Sequence, residues 1–345
     1  MSAIAAAPAA VRPVKSWLVG PWFDLLFLGN IAWPIAGLLA WRWLYTAPAD
    51  VKPDEQMLSL FQVYFLSTPH RWITLVLVFC DSDRFWKEPA KFGGIGVGLV
   101  LGGLGLVVLA GLLPFASSSL MLLMMLDYVW NAWHFAAQHA GISRIYGRTA
   151  RPEQALPHAE FEKSALRTLV LWVFLRFAVH VGSNSPFGDN VSWLGPWLHW
   201  LDPVAIIPAA ILVFREVRAF RMQCVGRLVY ISSVITLYVA QLVAIRFDDL
   251  PMMKALFFAG AIFHAVEYLA ICNWSVQKRT TGIWQHQISR TGIALVAFML
   301  VLGGVGYLVT EKSLYAWQLI TLLVSLLHYA YDGIIWKAKP APAKA

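Results

Sequence analysis

Charge is scarce in this sequence. Asp, Glu, Lys and Arg make up 13% of it, about half the share of a soluble globular domain. That is too little to solvate the surface of a water-soluble protein of 345 residues. Cysteine is scarce as well. Cys80, Cys224 and Cys272 stand far apart, which excludes a CxxC metal knot and a disulfide framework. No CxxCH segment occurs, so no c-type haem attachment is encoded. The opening MSAIAAAPAAVRPVKSW places small residues ahead of its positive charges and lacks a long apolar core, so a cleaved signal peptide is not expected. The glycine-rich stretch from Gly93 to Gly98 follows no strand-like segment, which argues against a phosphate-binding loop. With Gly102 and Gly103 its GxxxG-like spacing predicts close helix packing instead.

What the sequence has in abundance is apolar surface: 59% of residues are hydrophobic and the mean hydropathy is +0.62. A helix needs about 20 apolar residues to cross a bilayer. Ten stretches qualify, at residues 17–45, 57–80, 93–114, 116–140, 166–183, 196–214, 227–246, 252–274, 291–310 and 314–336. Asp202-Pro203 interrupts the sixth and predicts a short or broken span. The expected fold is an all-α polytopic membrane bundle of about ten transmembrane helices. Residues 1–16 form a leading segment, 17–336 a single transmembrane domain, and the Pro/Ala/Lys-rich 337–345 a disordered basic tail. Seventeen Trp and eleven Tyr suit interfacial belts.

The net charge of +8 does not point to nucleic acid, because the positives alternate between loops. They cluster in the second loop (Arg84, Lys87, Lys91), the fourth (Arg144, Arg148, Arg151, Lys163, Arg167), the sixth (Arg215, Arg218, Arg221, Arg227) and the eighth (Lys278, Arg279, Arg290), and at both ends. The first loop is acidic and the other odd loops carry almost none. The positive-inside rule then places both termini in the cytoplasm, and the expected location is a bacterial-type inner membrane.

Ionisable side chains inside membrane helices are costly and usually face a bundle interior for a purpose. Four stretches carry them: Thr68-Pro69-His70-Arg71, the run from Asp127 to His139, Phe263 to Glu267, and Leu327 to Asp332. On the ten-span topology all four helices run from outside to inside. His70, His134, His264 and His328 then fall within roughly 6 Å of one another in depth, at 1.5 Å rise per residue. His264 and Glu267 (i, i+3) share a helix face, as do His328 and Asp332 (i, i+4). His139 lies about 140° round from His134, so both reach one metal only if the helix end bends or unwinds. Imidazole and carboxylate in this mixture suit iron, zinc or manganese. The expected ligands are His70, His134, His139, His264, Glu267, His328 and Asp332, with the acids serving as ligands or as acceptors that orient an imidazole. Asp127, Asn131, Tyr329 and Tyr128 are expected either to face the substrate or to support the ligands from behind, Asp127 as an acceptor that orients an imidazole. Arg71 has a substrate carboxylate, a lipid head group, Asp83 or Glu267 as its candidate partners, and Asp332 has Lys337 as an alternative one. His180 and His199 read as hydrogen-bonding residues near the outer side, and His158 and His286 as surface residues.

Pro69-His70, His134-Phe135, Phe263-His264, and His328 followed by Asp332 occur in that order. In this the chain resembles the membrane-bound Brp/Blh family of carotene-cleaving oxygenases, over four short windows. That family has an Asp four residues after its first His, where this chain has Thr74, and a second His in its third motif, where this chain has Tyr268. The resemblance implies an iron-dependent oxygenase acting on a hydrophobic substrate.

Three functions compete on the sequence. The first is a non-haem iron oxygenase with one or two Fe ions, acting on a lipid, fatty-acyl or isoprenoid/carotenoid substrate. No flavin, nicotinamide or iron–sulfur signature is present, so any electron donor would be a separate protein. The second is a zinc-dependent hydrolase of lipid amides or esters, with Ser67 one turn from His70 as a helper. The third is haem binding or transport.

Overall fold

The computed structural model describes residues 15–46, 61–80, 84–113, 118–150, 158–183, 194–220, 224–277 and 292–336. Among them there are ten long helical rods and no strand. A short turn at Pro21–Phe23 and a π-wound Asp24–Leu28 lead into α1, Trp33–Thr46. A second π-wound stretch, Phe61–Ser67, runs directly into α2, Thr68–Phe79. The rest are α3 (Pro89–Leu112), α4 (Met121–Ala150), α5 (Ala159–Ser183), α6 (Leu194–Arg218), α7 (Val225–Arg246), α8 (Leu250–Gln277), α9 (Gly292–Lys312) and α10 (Leu314–Ile335).

Eight segments are long and apolar enough to cross a membrane, which makes the chain a multi-pass helical bundle. The two rods that do not qualify are α2 with its π-wound lead-in, and α4. They carry His70 and Arg71, and the run from Asp127 to His139. The polar residues that mark a candidate site are those that lower the hydropathy of α4. α8 is the most enclosed of the spans, with 72% of its apolar window buried. It packs on α1, α2 and α7, while α10 joins α2, α3, α4 and α9.

Several boundaries differ from the sequence reading. α4 does not end near residue 140 but continues unbroken to Ala150, and α5 starts at Ala159 rather than 166. Arg144, Arg148, Lys163 and Arg167 therefore stand on helices, not in a loop. α6 runs through Asp202-Pro203 without a break. Proline removes the bond to the carbonyl four residues back, and the freed His199 carbonyl accepts from Arg246 Nη1 at 3.5 Å. Asp202 itself is buried, paired with Arg176 Nε at 3.2 Å and Trp172 Nε1 at 2.8 Å. Ionic and polar partners from α5 and α7 thus replace what the proline takes from α6.

The glycines of α3 pack less than their spacing suggests. A Cβ on Gly96 would lie 2.6 Å from Tyr331 Oη, and one on Gly103 would lie 2.5 Å from Leu323 Cδ2, so both meet α10. These two are seven residues apart and share one face. Gly94, Gly98 and Gly102 have nothing within 4 Å. The close approach is a two-glycine contact with α10 and not a GxxxG seam.

Arg227, counted above as a loop charge, is buried in the first turn of α7. Its guanidinium donates to Glu162 at 2.6 Å on α5, to Glu216 at 2.9 Å on α6 and to the Ser143 carbonyl at 3.1 Å on α4. One planar cation thereby fastens three helices onto a fourth. Arg227→Met should cost about 3–5 kcal/mol, because it leaves two carboxylates uncompensated. Gly103→Leu should cost about 1–3 kcal/mol by overpacking, and Gly102→Leu should stay within about 0.5 kcal/mol. Unfolding of the detergent-purified variants, monitored by heat or denaturant, checks all three.

Candidate metal centre

α2, α4, α8 and α10 bring His70, His134, His264 and His328 together. All four are buried. The ring centroids of His70 lie 6.1, 4.9 and 4.5 Å from those of His134, His264 and His328. His134 lies 5.0 Å from His264 and 4.5 Å from His328. The depth alignment read from helix registers thus becomes direct ring contact. Phe135 stacks on His264 at 3.6 Å and holds its plane.

The donor atoms sort into two groups, each with its ligand atoms within 4.8 Å of one another. The first is His70, His134 and His328; the second is His139, His264 and Glu267. Because α4 runs on past His139, its two histidines point to different sides, and each joins a different group. The unwinding that one shared ion would require does not occur.

The outer contacts set which nitrogen each imidazole presents. His70 Nδ1 meets the Ser67 carbonyl at 3.2 Å. A carbonyl only accepts, so Nδ1 carries the proton and Nε2 offers its lone pair. That Nε2 is buried and has no hydrogen-bond partner. The Ser67 hydroxyl accepts from Gln62 at 2.6 Å, so the backbone of this serine, not its side chain, serves the site. His328 Nδ1 lies 2.7 Å from Thr74 Oγ1, and Thr74 lies 3.1 Å from Asp332 Oδ1. With the carboxylate as final acceptor, protons order as His328 Nδ1–H to Thr74, then Thr74 O–H to Asp332. His328 Nε2 then faces His134 Nε2 at 3.0 Å as a lone pair. Two lone pairs at that distance repel unless a cation or a proton lies between them. Both nitrogens of His264 are also buried without a partner.

Asp332 falls outside both donor groups. It accepts from Tyr268 Oη at 2.5 Å and from Thr74, and its other oxygen is 3.9 Å from His328 Nε2. Here it backs the imidazole, the second of the two roles open to it in sequence. Thr74 and Tyr268, the positions where the chain departs from the Brp/Blh pattern, lie 2.5 Å apart. The two departures form one connected hydrogen-bonded unit.

The second group has more partners. His139 Nδ1 lies 3.0 Å from Glu267 and 3.1 Å from Tyr230 Oη, and its Nε2 lies 3.0 Å from Tyr238 Oη. Glu267 also accepts from Gln138 at 2.6 Å and Tyr230 at 3.0 Å. Tyr230 and Tyr238 were missed in sequence, since two tyrosines in an apolar helix carry no motif. Tyr329 Oη lies 3.0 Å from both Asp127 Oδ1 and Asn131 Oδ1, two acceptors for its one proton, and its ring lies 5.0 Å from His134. Arg71 bonds Tyr329 and faces Asp127, so its partners are these two. Asp83 and Lys337, the alternative partners considered for Arg71 and Asp332, lie outside the described residues, as does His286. Tyr128 donates to the Phe174 carbonyl at 2.7 Å, away from this group. His180 meets Asp248 at 3.3 Å, His199 meets Arg176 at 2.8 Å, and His158 is exposed.

No protein-family model, curated protein or solved structure matches this chain. The centre is therefore read from its own chemistry. Buried His-rich groups with orphaned nitrogens are able to hold a metal ion.

Thr74→Val keeps the shape and removes the hydroxyl that links His328 to Asp332. Metal affinity of the purified protein, titrated against a chelator, should fall 10–100-fold, and Thr74→Ser should restore most of it.

Proposed function

We propose that the chain is an intramembrane non-haem iron oxygenase of a hydrophobic substrate. In this reading ten helices cross a bacterial-type cytoplasmic membrane, with both ends on the cytoplasmic side. The observation that carries the proposal is the convergence of four buried imidazoles, in which His70 Nε2 and both nitrogens of His264 have no hydrogen-bond partner and His134 Nε2 faces His328 Nε2 at 3.0 Å. His70, His134 and His328 would hold one ion. His139, His264 and Glu267 would hold a second, and their composition of two histidines and one carboxylate is that of non-haem iron oxygenases. Iron with open coordination positions supplies binding and activation of O₂. The protein's own residues do the rest. Ser67 and the Thr74–Asp332 pair hold the tautomers of His70 and His328. Tyr329, held by Asp127, Asn131 and Arg71, presents a hydroxyl beside His134. The apolar span excludes water from the reacting carbon. The resemblance to the Brp/Blh oxygenases supports the same class, with a carotenoid as one candidate substrate.

A zinc hydrolase of lipid amides or esters is the second reading. It is favoured by the first group alone, since three histidines and an open position make a catalytic zinc site. Haem ligation fits poorly: His134 and His328 approach to 3.0 Å, which leaves no gap for a porphyrin between them.

Elemental analysis of detergent-purified protein, expressed with iron and zinc both supplied, should find one or two Fe per chain and no haem band. His70→Ala/His328→Ala should lose at least one of them, and O₂ consumption with added lipid or carotenoid should vanish with it. Stoichiometric zinc with O₂-independent lipid hydrolysis would replace this reading with the second.

A further inference from the structure

A cavity of about 630 Å³ lies beside the first donor group, walled by α4, α5, α8 and α10. Its inner wall includes His134, Tyr268, Tyr329 and Asp332. Arg144, Arg148 and Lys163 line it farther along α4 and α5, and Arg167 lines it over the Trp133 ring. Ala137, Gly141, Ile145, Ile271 and Ile334 lie between. His134 and Arg144 are ten residues apart on one helix, about 15 Å along its axis. The cavity therefore runs along α4, with Gln138 and mostly apolar side chains between His134 and Arg144.

The cationic end is not accounted for by charge bias in loops. Arg144 and Arg167 stand on helices and are half-buried, and the Nε of each is fully buried with no hydrogen-bond partner. The two are close enough to repel one another. Glu160 at the rim lies near both, but it is 73% exposed and ion-paired with Lys163. Asp332, the acidic residue in the described lining, is engaged by Tyr268 and Thr74. Arg167 also lies 4.5 Å over the Trp133 ring, a cation–π contact that holds its guanidinium at the cavity wall. Planar guanidinium groups held this way match the paired oxygens of a carboxylate or phosphate. A neutral hydrocarbon in the cavity would leave the exposed, Lys163-paired Glu160 as the acid near them.

We infer that the ligand of this cavity is an amphiphile with an anionic head. Arg144 and Arg167, with Arg148 and Lys163 at the rim, bind a carboxylate or phosphate, and the apolar tail runs along α4 to place a carbon beside His134. The inference deepens the oxygenase reading by naming its substrate class, and it rests on that reading only for what happens to the tail. Head-group binding needs neither iron nor turnover, so the two stand or fall separately.

The test is equilibrium binding of a fluorescent long-chain polyene fatty acid to the full-length protein in neutral detergent. The acid should bind at least 10-fold more tightly than its methyl ester, and more weakly at high salt. Unlabelled phosphatidic acid and phosphatidylcholine serve as competitors. Stronger competition by phosphatidic acid identifies a phospholipid phosphate as the head group, and none from either identifies a free carboxylate. Arg144→Gln/Arg167→Gln should weaken binding of the acid at least 10-fold while metal content stays at the wild-type value. Equal affinity for acid and ester in the wild-type chain, which needs no variant, would overturn the proposal. So would unchanged binding in a folded double variant.

Discussion

An imidazole nitrogen shut away from water has to meet a proton or a cation, and the centre of this bundle depends on how that demand is met. The cost of an unpaired polar atom is highest where no water can reach it. His70 Nε2 and both nitrogens of His264 are in that position, and His134 Nε2 and His328 Nε2 press against each other at 3.0 Å. Four helices bring these atoms to one place. Core packing alone would not select such an arrangement, because leucines of similar size would fill the space without the polar cost. A ligand that accepts several lone pairs at once removes that cost for all of them together.

The remaining polar residues follow from this demand. A histidine that offers one nitrogen inward needs its other nitrogen occupied, or its tautomer is free to change. For His70 the partner is a backbone carbonyl one turn back. For His328 it is a carboxylate acting through a threonine. For His139 it is a pair of tyrosines and Glu267. The second group is therefore self-satisfying to a degree that the first is not. His264 stands between the two, 4.9 Å from His70 and 6.2 Å from His139 by ring centroid. It is the residue through which occupancy of one group would be felt by the other.

Much of this was legible in sequence, for a definite reason. Lipid makes ionisable residues expensive, so each one in an apolar run carries information that it would not carry in a soluble protein. His70, His134, His264 and His328 stood out on that ground, and helix register gave them a common depth. The i, i+3 spacing of His264 and Glu267 put both on one face, and they do share a donor group. Less legible was everything set by where helices end. Arg144 and Arg167 looked like loop charges because the continuous apolar run stops near residue 140, yet α4 and α5 extend past it. Arg227 looked like one more positive loop residue, although it is the clamp of three helices. Pairings between distant helices, such as Thr74 with Tyr268, leave no trace in either segment alone.

The extension of α4 matters most, because it ties the two halves of the site to one rigid element. Had the helix unwound near residue 140, His134 and His139 could have turned to a single ion, and the arginines would have lain in a loop of variable reach. Because it does not, the angle between the two histidines is set at about 140° by helix geometry, and the donors divide into two groups. The same rigidity sets the separation of His134 from Arg144 at about 15 Å. On the proposed reading, a head group held near Arg144 and a reacting carbon held near His134 would make position along the chain a matter of length. Regioselectivity would then need no contact with the reacting carbon itself. On that reading chemistry and selectivity would be altered independently, the first by changing residues around His134 and the second by changing those around Arg144.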